Sequence, residues 1–358
     1  MKGLRLLFML PFLSIFVQVG FSSAFSQLSN IYSSSVAAST FIGVTPLTGI
    51  FLGFLWARML KRYGERKTFL TALTGWAVSI FFVGIFLNNI FAAIIFRAVQ
   101  GIFEPALYST ALTGVSKSNM SVSEKVKSYG IIELMGSLGA VAGPSVIGNS
   151  FLFDPKPVIV GFSVFCILFC FFGFKRIDTI RADLENHEKS TFSFEIFKAV
   201  FFGLAVLLSI VAIQVALPSF VEDRFSNPFL GKMMVSAFSL FLMIGNLVKH
   251  RIKGINSWMI LFAALFLFFA YMTIDISILF VIFLNIAGFF LGISMTMSSE
   301  YASMISSSFK DTGMTLFSSL RTSGNFMGPY VAQGNMGSLV LFLSVISLFS
   351  AAFLKTEK

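Results

Sequence analysis

Charge is scarce in this chain. Asp, Glu, Lys and Arg make up 12% of its residues, about half of the roughly 25% usual in a soluble domain. Cysteine and histidine are nearly absent, at two each. Cys166 and Cys170 share one apolar stretch, which gives no basis for a disulfide framework or for a thiolate metal site. His187 and His250 stand alone between apolar runs, so no metal is expected. No Gly-x-x-x-x-Gly-Lys-Ser/Thr loop occurs and no soluble domain is present to hold one, so neither ATP hydrolysis nor a bound cofactor is expected.

What the chain has in abundance is apolar surface. It is 56% hydrophobic, its mean hydropathy is +0.87, and 47 of its 358 residues are Phe. A soluble protein of this size cannot hide that much. The reading is an all-α integral membrane protein. Apolar runs long enough to cross a bilayer, roughly 20 residues each, fall at 4–25, 36–58, 68–88, 90–114, 127–152 and 157–174. A polar stretch at 175–198 follows, and six more runs fall at 199–221, 228–248, 257–274, 276–306, 313–334 and 337–354. The first run resembles a secretion signal, with Lys2 and Arg5 ahead of it. Removing it would leave five spans facing six, so it is read as a span.

The net charge of +10 is a matter of placement. With the N-terminus inside, 21 of the 26 basic residues fall in inner segments and two, Lys156 and Arg224, in outer loops. That asymmetry places both termini in the cytoplasm and makes the charge a topology signal, with no nucleic-acid partner implied. The expected location is the cell membrane, inner or plasma, with a monomer sufficient for function.

A short pattern occurs twice. Gly136-Ser-Leu-Gly139-Ala-Val-Ala-Gly143-Pro144-Ser-Val matches Arg321-Thr-Ser-Gly324-Asn-Phe-Met-Gly328-Pro329-Tyr-Val at an offset of 185 residues, about half the chain. Two related halves are expected: a six-helix bundle at 1–174, a cytoplasmic linker at 175–198 and a second six-helix bundle at 199–358. Small residues four apart, Gly139 with Gly143 and Gly324 with Gly328, let helix backbones approach closely. Pro144 and Pro329 each remove a backbone hydrogen bond and kink the helix. Such a helix is expected where packed units rock.

Charges inside spans cost a few kcal/mol each, so those present are candidates for function. Arg97, Gln100 and Glu104 share one helix face, being nearly two turns apart end to end. Arg97 is expected either to modulate a titrating carboxylate or to hold its helix through Gln100 and backbone carbonyls. Glu104 and Glu133 lie symmetrically about the loop near residue 118, at similar depth. A shared or exchanged proton follows if they face each other; local hydrogen bonding follows if they do not. Glu300 and Arg321 have the same relation about the loop near 310, which suggests an ion pair with a structural or gating role, or else a solvated Glu300 at the cytoplasmic mouth. Lys232, near the outer end of its span, is set aside as able to snorkel. Gln18, Gln100, Gln214, Asn285 and Asn325 are candidates for a cavity lining, or for ties between helices.

Three motifs resemble those of the major facilitator superfamily. The loop at 57–67 is similar to its Gly…Asp-Arg-x-Gly-Arg-Lys signature through Arg62, Gly64, Arg66 and Lys67. Ala57 replaces the first glycine, and Lys61 replaces an acid that latches the cytoplasmic side in that family. Arg97-Ala-Val-Gln100-Gly101 resembles the fourth-helix signature. Gly139 to Gly148 resembles the fifth-helix signature of its proton-coupled antiporter branches. The Arg251–Gly254 loop is a fainter echo of the first motif. The resemblance implies twelve transmembrane helices in two pseudo-symmetric bundles, alternating access at a midplane site, and export of a small organic molecule driven by the proton gradient. Proton symport or facilitated uptake of a small metabolite is the first alternative. A membrane sensor or membrane enzyme is a weaker one, because the spans contain no His and no Asp.

Overall fold

The computed structural model describes residues 6–116, 118, 120–174, 195–249, 251–252, 257–305, 317 and 320–354, and among these every element is helix or turn. Outside them lie residues 175–194 of the expected linker, His187, His250, Lys253, Gly254, the loop around 310 and both chain ends, as does the side chain of Lys61.

The first span is bent. Helix α1, Met9–Ser23, meets α2, Phe25–Tyr32, at 63°, so it runs seven residues past its expected end. The Ser23 hydroxyl donates to the Gly20 carbonyl at 2.9 Å and Ala24 N–H to Phe21 O at 3.1 Å. Bonds to carbonyls three residues back tighten the turn and bend a helix. The next two spans are arms of α3, Ser35–Ile85, broken at Gly64 with φ 75° and ψ 173°. Gly64 turns the chain without the Cβ clash another residue would meet at that φ, so the expected loop at 59–67 shrinks to one sharp corner.

Then come α4 (Ile90–Ser116), α5 (Val122–Gly143), a π-helical turn (Pro144–Gly148) and α6 (Pro155–Phe174). Ser121 opens α5 with a capping box: Glu124 N–H donates to its hydroxyl at 3.3 Å, while Ser121 N–H donates to the Glu124 carboxylate at 2.9 Å. Pro144 supplies no N–H, and the chain responds with the wider π turn. The other half holds α7 (Glu195–Phe225), α8 (Pro228–Lys249), α9 (Trp258–Met272), α10 (Ser277–Ile305), α11 (Ser323–Val331) and α12 (Met336–Leu354). Eight of these stretches are long and apolar enough to span a membrane, nine with the bent pair, and α9 and α12 are shorter apolar helices. Only part of the span expected at 313–334 lies among the described residues, as α11.

The packing repeats. In the first half α1 packs on α5, the first arm of α3 on α4, and its second arm on α6. In the second, α7 packs on α11, α8 on α10, and α9 on α12. Each pair maps to its counterpart six spans later, and the contacts between halves, α5 with α8 and α3 with α11, exchange under the same shift. The described residues follow a twelve-span plan in two pseudo-symmetric bundles.

The paired glycines sit inside each half. A Cβ on Gly139 would stand 2.5 Å from Phe12 O and 2.9 Å from Phe16 N. One on Gly324 would stand 2.6 Å from Leu208 N and 2.7 Å from Leu204 O. Gly143 lies against Gly20 N, and Gly328 against Val211, with a Cβ 3.0 Å and 2.8 Å away. These faces therefore weld α5 to α1 and α11 to α7. The expected rocking surface is not here; the halves meet along the neighbouring α5–α8 and α3–α11 seams.

Candidate functional site

Arg97 is fully buried among partners from three spans. Its Nε donates to Phe41 O at 3.2 Å, Nη1 to Gln100 Oε1 at 2.6 Å and Nη2 to Gln18 Oε1 at 2.8 Å. The guanidinium also lies 4.8 Å from the Phe21 ring centroid and 5.2 Å from that of Phe41. A buried charge needs this degree of satisfaction, and a planar five-donor fork supplies it where an ammonium could not. The face shared by Arg97, Gln100 and Glu104 is real: Gln100 Nε2 continues the chain by donating to Glu104 Oε2 at 3.3 Å.

Glu104 collects two more donors, Ser14 Oγ at 2.6 Å and Trp76 Nε1 at 3.4 Å. Neither was singled out in the sequence, because a serine on α1 and a tryptophan on α3 carry no local sign of aiming at α4. The carboxylate stands in the wall of a cavity of about 680 Å³, counting its open mouth. Ser14, Gln18, Thr45, Glu104, Arg321 and Asn325 line its polar side, and Ile15, Pro46, Leu207 and Met295 its apolar side. The lining comes from both halves.

Arg321 and Glu133 join those halves. Arg321 Nη2 lies 3.5 Å from Glu133 Oε1, and its Nη1 donates to Ser299 Oγ at 2.9 Å. Ser299 in turn donates to Glu133 Oε1 at 2.8 Å. Arg321 also sits 5.1 Å from the ring of Tyr108 and 5.2 Å from that of Phe317. Glu133 Oε2 and the Tyr108 hydroxyl beside it are buried, and among the described residues neither has a hydrogen-bond partner. Nearby, Asn246 of α8 donates to Ser137 of α5 at 2.5 Å and accepts from Thr296 at 2.9 Å.

Several expectations are corrected. Glu104 and Glu133 do not share a proton site: Glu104 turns into its own half and Glu133 toward the other. Glu300 does not pair with Arg321. It takes Lys249 at 2.6 Å, because α10 packs on α8, and its side chain keeps 19% exposure. Gln100 is fully buried behind the cavity wall. Gln214 is 1% exposed and donates to Ser239 at 3.1 Å, tying α7 to α8. Asn285 donates to Val281 O at 2.8 Å and lies outside the lining. Lys232 does not snorkel. It is 1% exposed, its Nζ has no hydrogen-bond partner among the described residues, and the Pro144–Gly148 turn of the other half covers it. Arg62 rests 5.3 Å from the Tyr63 ring at the Gly64 corner, with Arg66 and Lys67 following on the second arm of α3. No group of three or more His, Cys, Asp or Glu that could hold a metal occurs among the described residues.

At the end carrying the Ser33, Leu87 and Ser226 turns, the halves are tied together. Ser39 donates to Pro329 O at 2.9 Å and accepts from Gln333 at 2.7 Å. The Thr40 and Tyr330 hydroxyls meet at 3.2 Å, Gln27 donates to Glu222 at 3.3 Å, and Ser236 donates to Val141 O at 2.9 Å. The cavity lies on the Gly64 side of these contacts, since Thr45, Pro46 and Asn325 follow Ser39 and precede Tyr330 toward that end.

The family model described as Major Facilitator Superfamily matches residues 7–329. No curated protein matches the chain.

Proposed function

The chain belongs to the major facilitator superfamily of secondary transporters, and from that premise we propose that it exports a small organic molecule in exchange for protons. The halves 1–174 and 199–358 move as units about the central cavity, joined by 175–198. With the basic loops and both termini in the cytoplasm of a cell membrane, the tied end faces outward and the cavity communicates with the cytoplasm. The protein works as a monomer, and the proton gradient supplies the energy.

One observation carries the reading. The buried Glu133 of the first half is held by Arg321 and Ser299 of the second, while its Oε2 has no hydrogen-bond partner among the described residues. A proton on Oε2 would find the Tyr108 oxygen as acceptor and would replace the ion pair across the seam by a weaker contact between the Arg321 cation and a neutral carboxyl. Removing the charge from one partner of a buried pair withdraws much of its attraction, so protonation loosens α5 from α10 and α11. Glu104 plays the complementary part in the cavity wall. There a proton and a positively charged or donor group of the substrate compete for one carboxylate, as exchange requires. Arg97 holds Gln100 and so positions Glu104.

The test is transport in reconstituted vesicles under an imposed pH gradient, with lumenal pH followed as candidate compounds are added. The wild type should release protons on addition of a substrate, and Glu104→Gln or Glu133→Gln should abolish the release. Transport indifferent to the gradient in wild type and both variants would make the protein a facilitator. Accumulation in right-side-out but not everted vesicles would reverse the direction.

A further inference from the structure

The cavity wall carries one charge of each sign, on opposite halves. Glu104 comes from α4, with all three of its donors, Ser14, Gln100 and Trp76, inside the first half. A carboxylate has about four acceptor positions, so one remains for a ligand. Arg321 comes from the second half. Its guanidinium has five N–H donors and directs two of its nitrogens at Ser299 and Glu133, which leaves donors for the cavity it lines. Four residues further on, in α11, Asn325 lines the same cavity with its Oδ1 buried and without a partner among the described residues. Its amide can present either a donor or an acceptor.

The buried charges around the cavity also balance. Arg97 and Arg321 oppose Glu104 and Glu133, and of these four only Glu104 and Arg321 are in the lining. A ligand bearing net charge would add an uncompensated ion to a poorly solvated space, which is costly. A ligand carrying one charge of each sign would not. Ile15, Pro46, Leu207 and Met295 provide an apolar surface for its body.

We propose that the cavity takes a zwitterion, an aminocarboxylate of amino-acid or short-peptide size, with its ammonium at Glu104 and its carboxylate at Arg321. This rests on the reading of the cavity as the substrate site. It adds a consequence: the ligand carboxylate competes with Glu133 for Arg321, so occupancy itself loosens the tie between halves.

The experiment is calorimetric titration of the full chain in lipid nanodiscs, at one pH and with no gradient. The probes are 6-aminohexanoate, hexylamine and hexanoate, with leucine and leucyl-leucine as zwitterions of shorter and intermediate charge separation. At least one zwitterion should bind tenfold or more tighter than either singly charged compound, and Glu104→Gln should remove that advantage. Equal binding of the amine or the acid, binding by none of the five, or an advantage untouched by Glu104→Gln overturns the proposal. The wild-type comparison stands by itself should the variant not fold. Proton coupling fails separately: a zwitterion that binds but does not move protons in vesicles leaves the ligand class standing and removes antiport.

Discussion

Glu133 and Arg321 meet at 3.5 Å across the seam between the two halves, although 188 residues separate them in the chain. Both side chains are almost wholly buried, at 2% and 5% exposure. The contact is thus a tie that alternating access has to break and remake, and its strength sets the cost of doing so.

Removing one member should cost more than removing both. Arg321→Gln leaves Glu133 buried without a countercharge, a penalty of roughly 3–5 kcal/mol in comparable pairs. The double variant with Glu133→Gln should recover part of it, a coupling of about 0.5–3 kcal/mol. Thermal melts of the four proteins in detergent give the cycle; additive losses would mean that the two side chains act independently.

Arg97→Ala should destabilise the first half by roughly 3–5 kcal/mol, since the Gln18 and Gln100 amide oxygens and the Phe41 carbonyl lose their donor together. Arg97→Lys should not rescue it, because an ammonium cannot reach three divergent acceptors while stacking on two rings. The fraction of folded monomer on size-exclusion chromatography reports the outcome, and full rescue by lysine would show that only the charge matters.

Gly139→Ala and Gly324→Ala should each lower the melting temperature, by about 1–3 kcal/mol in stability terms, because the new methyl meets the backbone of the facing helix. Gly136→Ala is the control. Its Cβ would find nothing nearer than 3.6 Å and should change stability by no more than about 0.5 kcal/mol. Equal tolerance at all three positions would refute the close approach of α1 to α5 and α7 to α11.

Glu300→Gln should matter little for transport. Its bond to Lys249 joins α8 and α10 within one half, and the pair moves as a unit. An effect of no more than about 1 kcal/mol, roughly fivefold in turnover, is expected. Turnover by Arg321→Gln should fall much further under the same assay. A loss at Glu300 as large as at Arg321 would place the gate at α8–α10 instead.

The membrane class, most of the spans, the twofold repeat and the cluster on α4 can be read from the residues in order. Each follows from something local or additive. Apolar runs and stranded charges are priced residue by residue in a bilayer. Gly139 with Gly143 marks a close-packing face through a four-residue spacing. Arg97, Gln100 and Glu104 meet because a single helix carries all three. Gly64 was legible only as part of a loop motif; its φ of 75° at the corner came from the structure.

Which buried charge answers which is settled by packing alone. Glu133, Glu300 and Arg321 lie on separate helices, and each residue along a helix turns the side chain by about 100°. Mirror positions about a loop give depth but not direction. Depth alone allowed Glu104 with Glu133 and Glu300 with Arg321. The rotation of α5, α8, α10 and the turn leading into α11 in the packed bundle instead sent Glu133 to Arg321 across the seam, Glu300 to Lys249 and Lys232 into the interior, because a buried charge settles on whichever partner the neighbouring helix turns toward it.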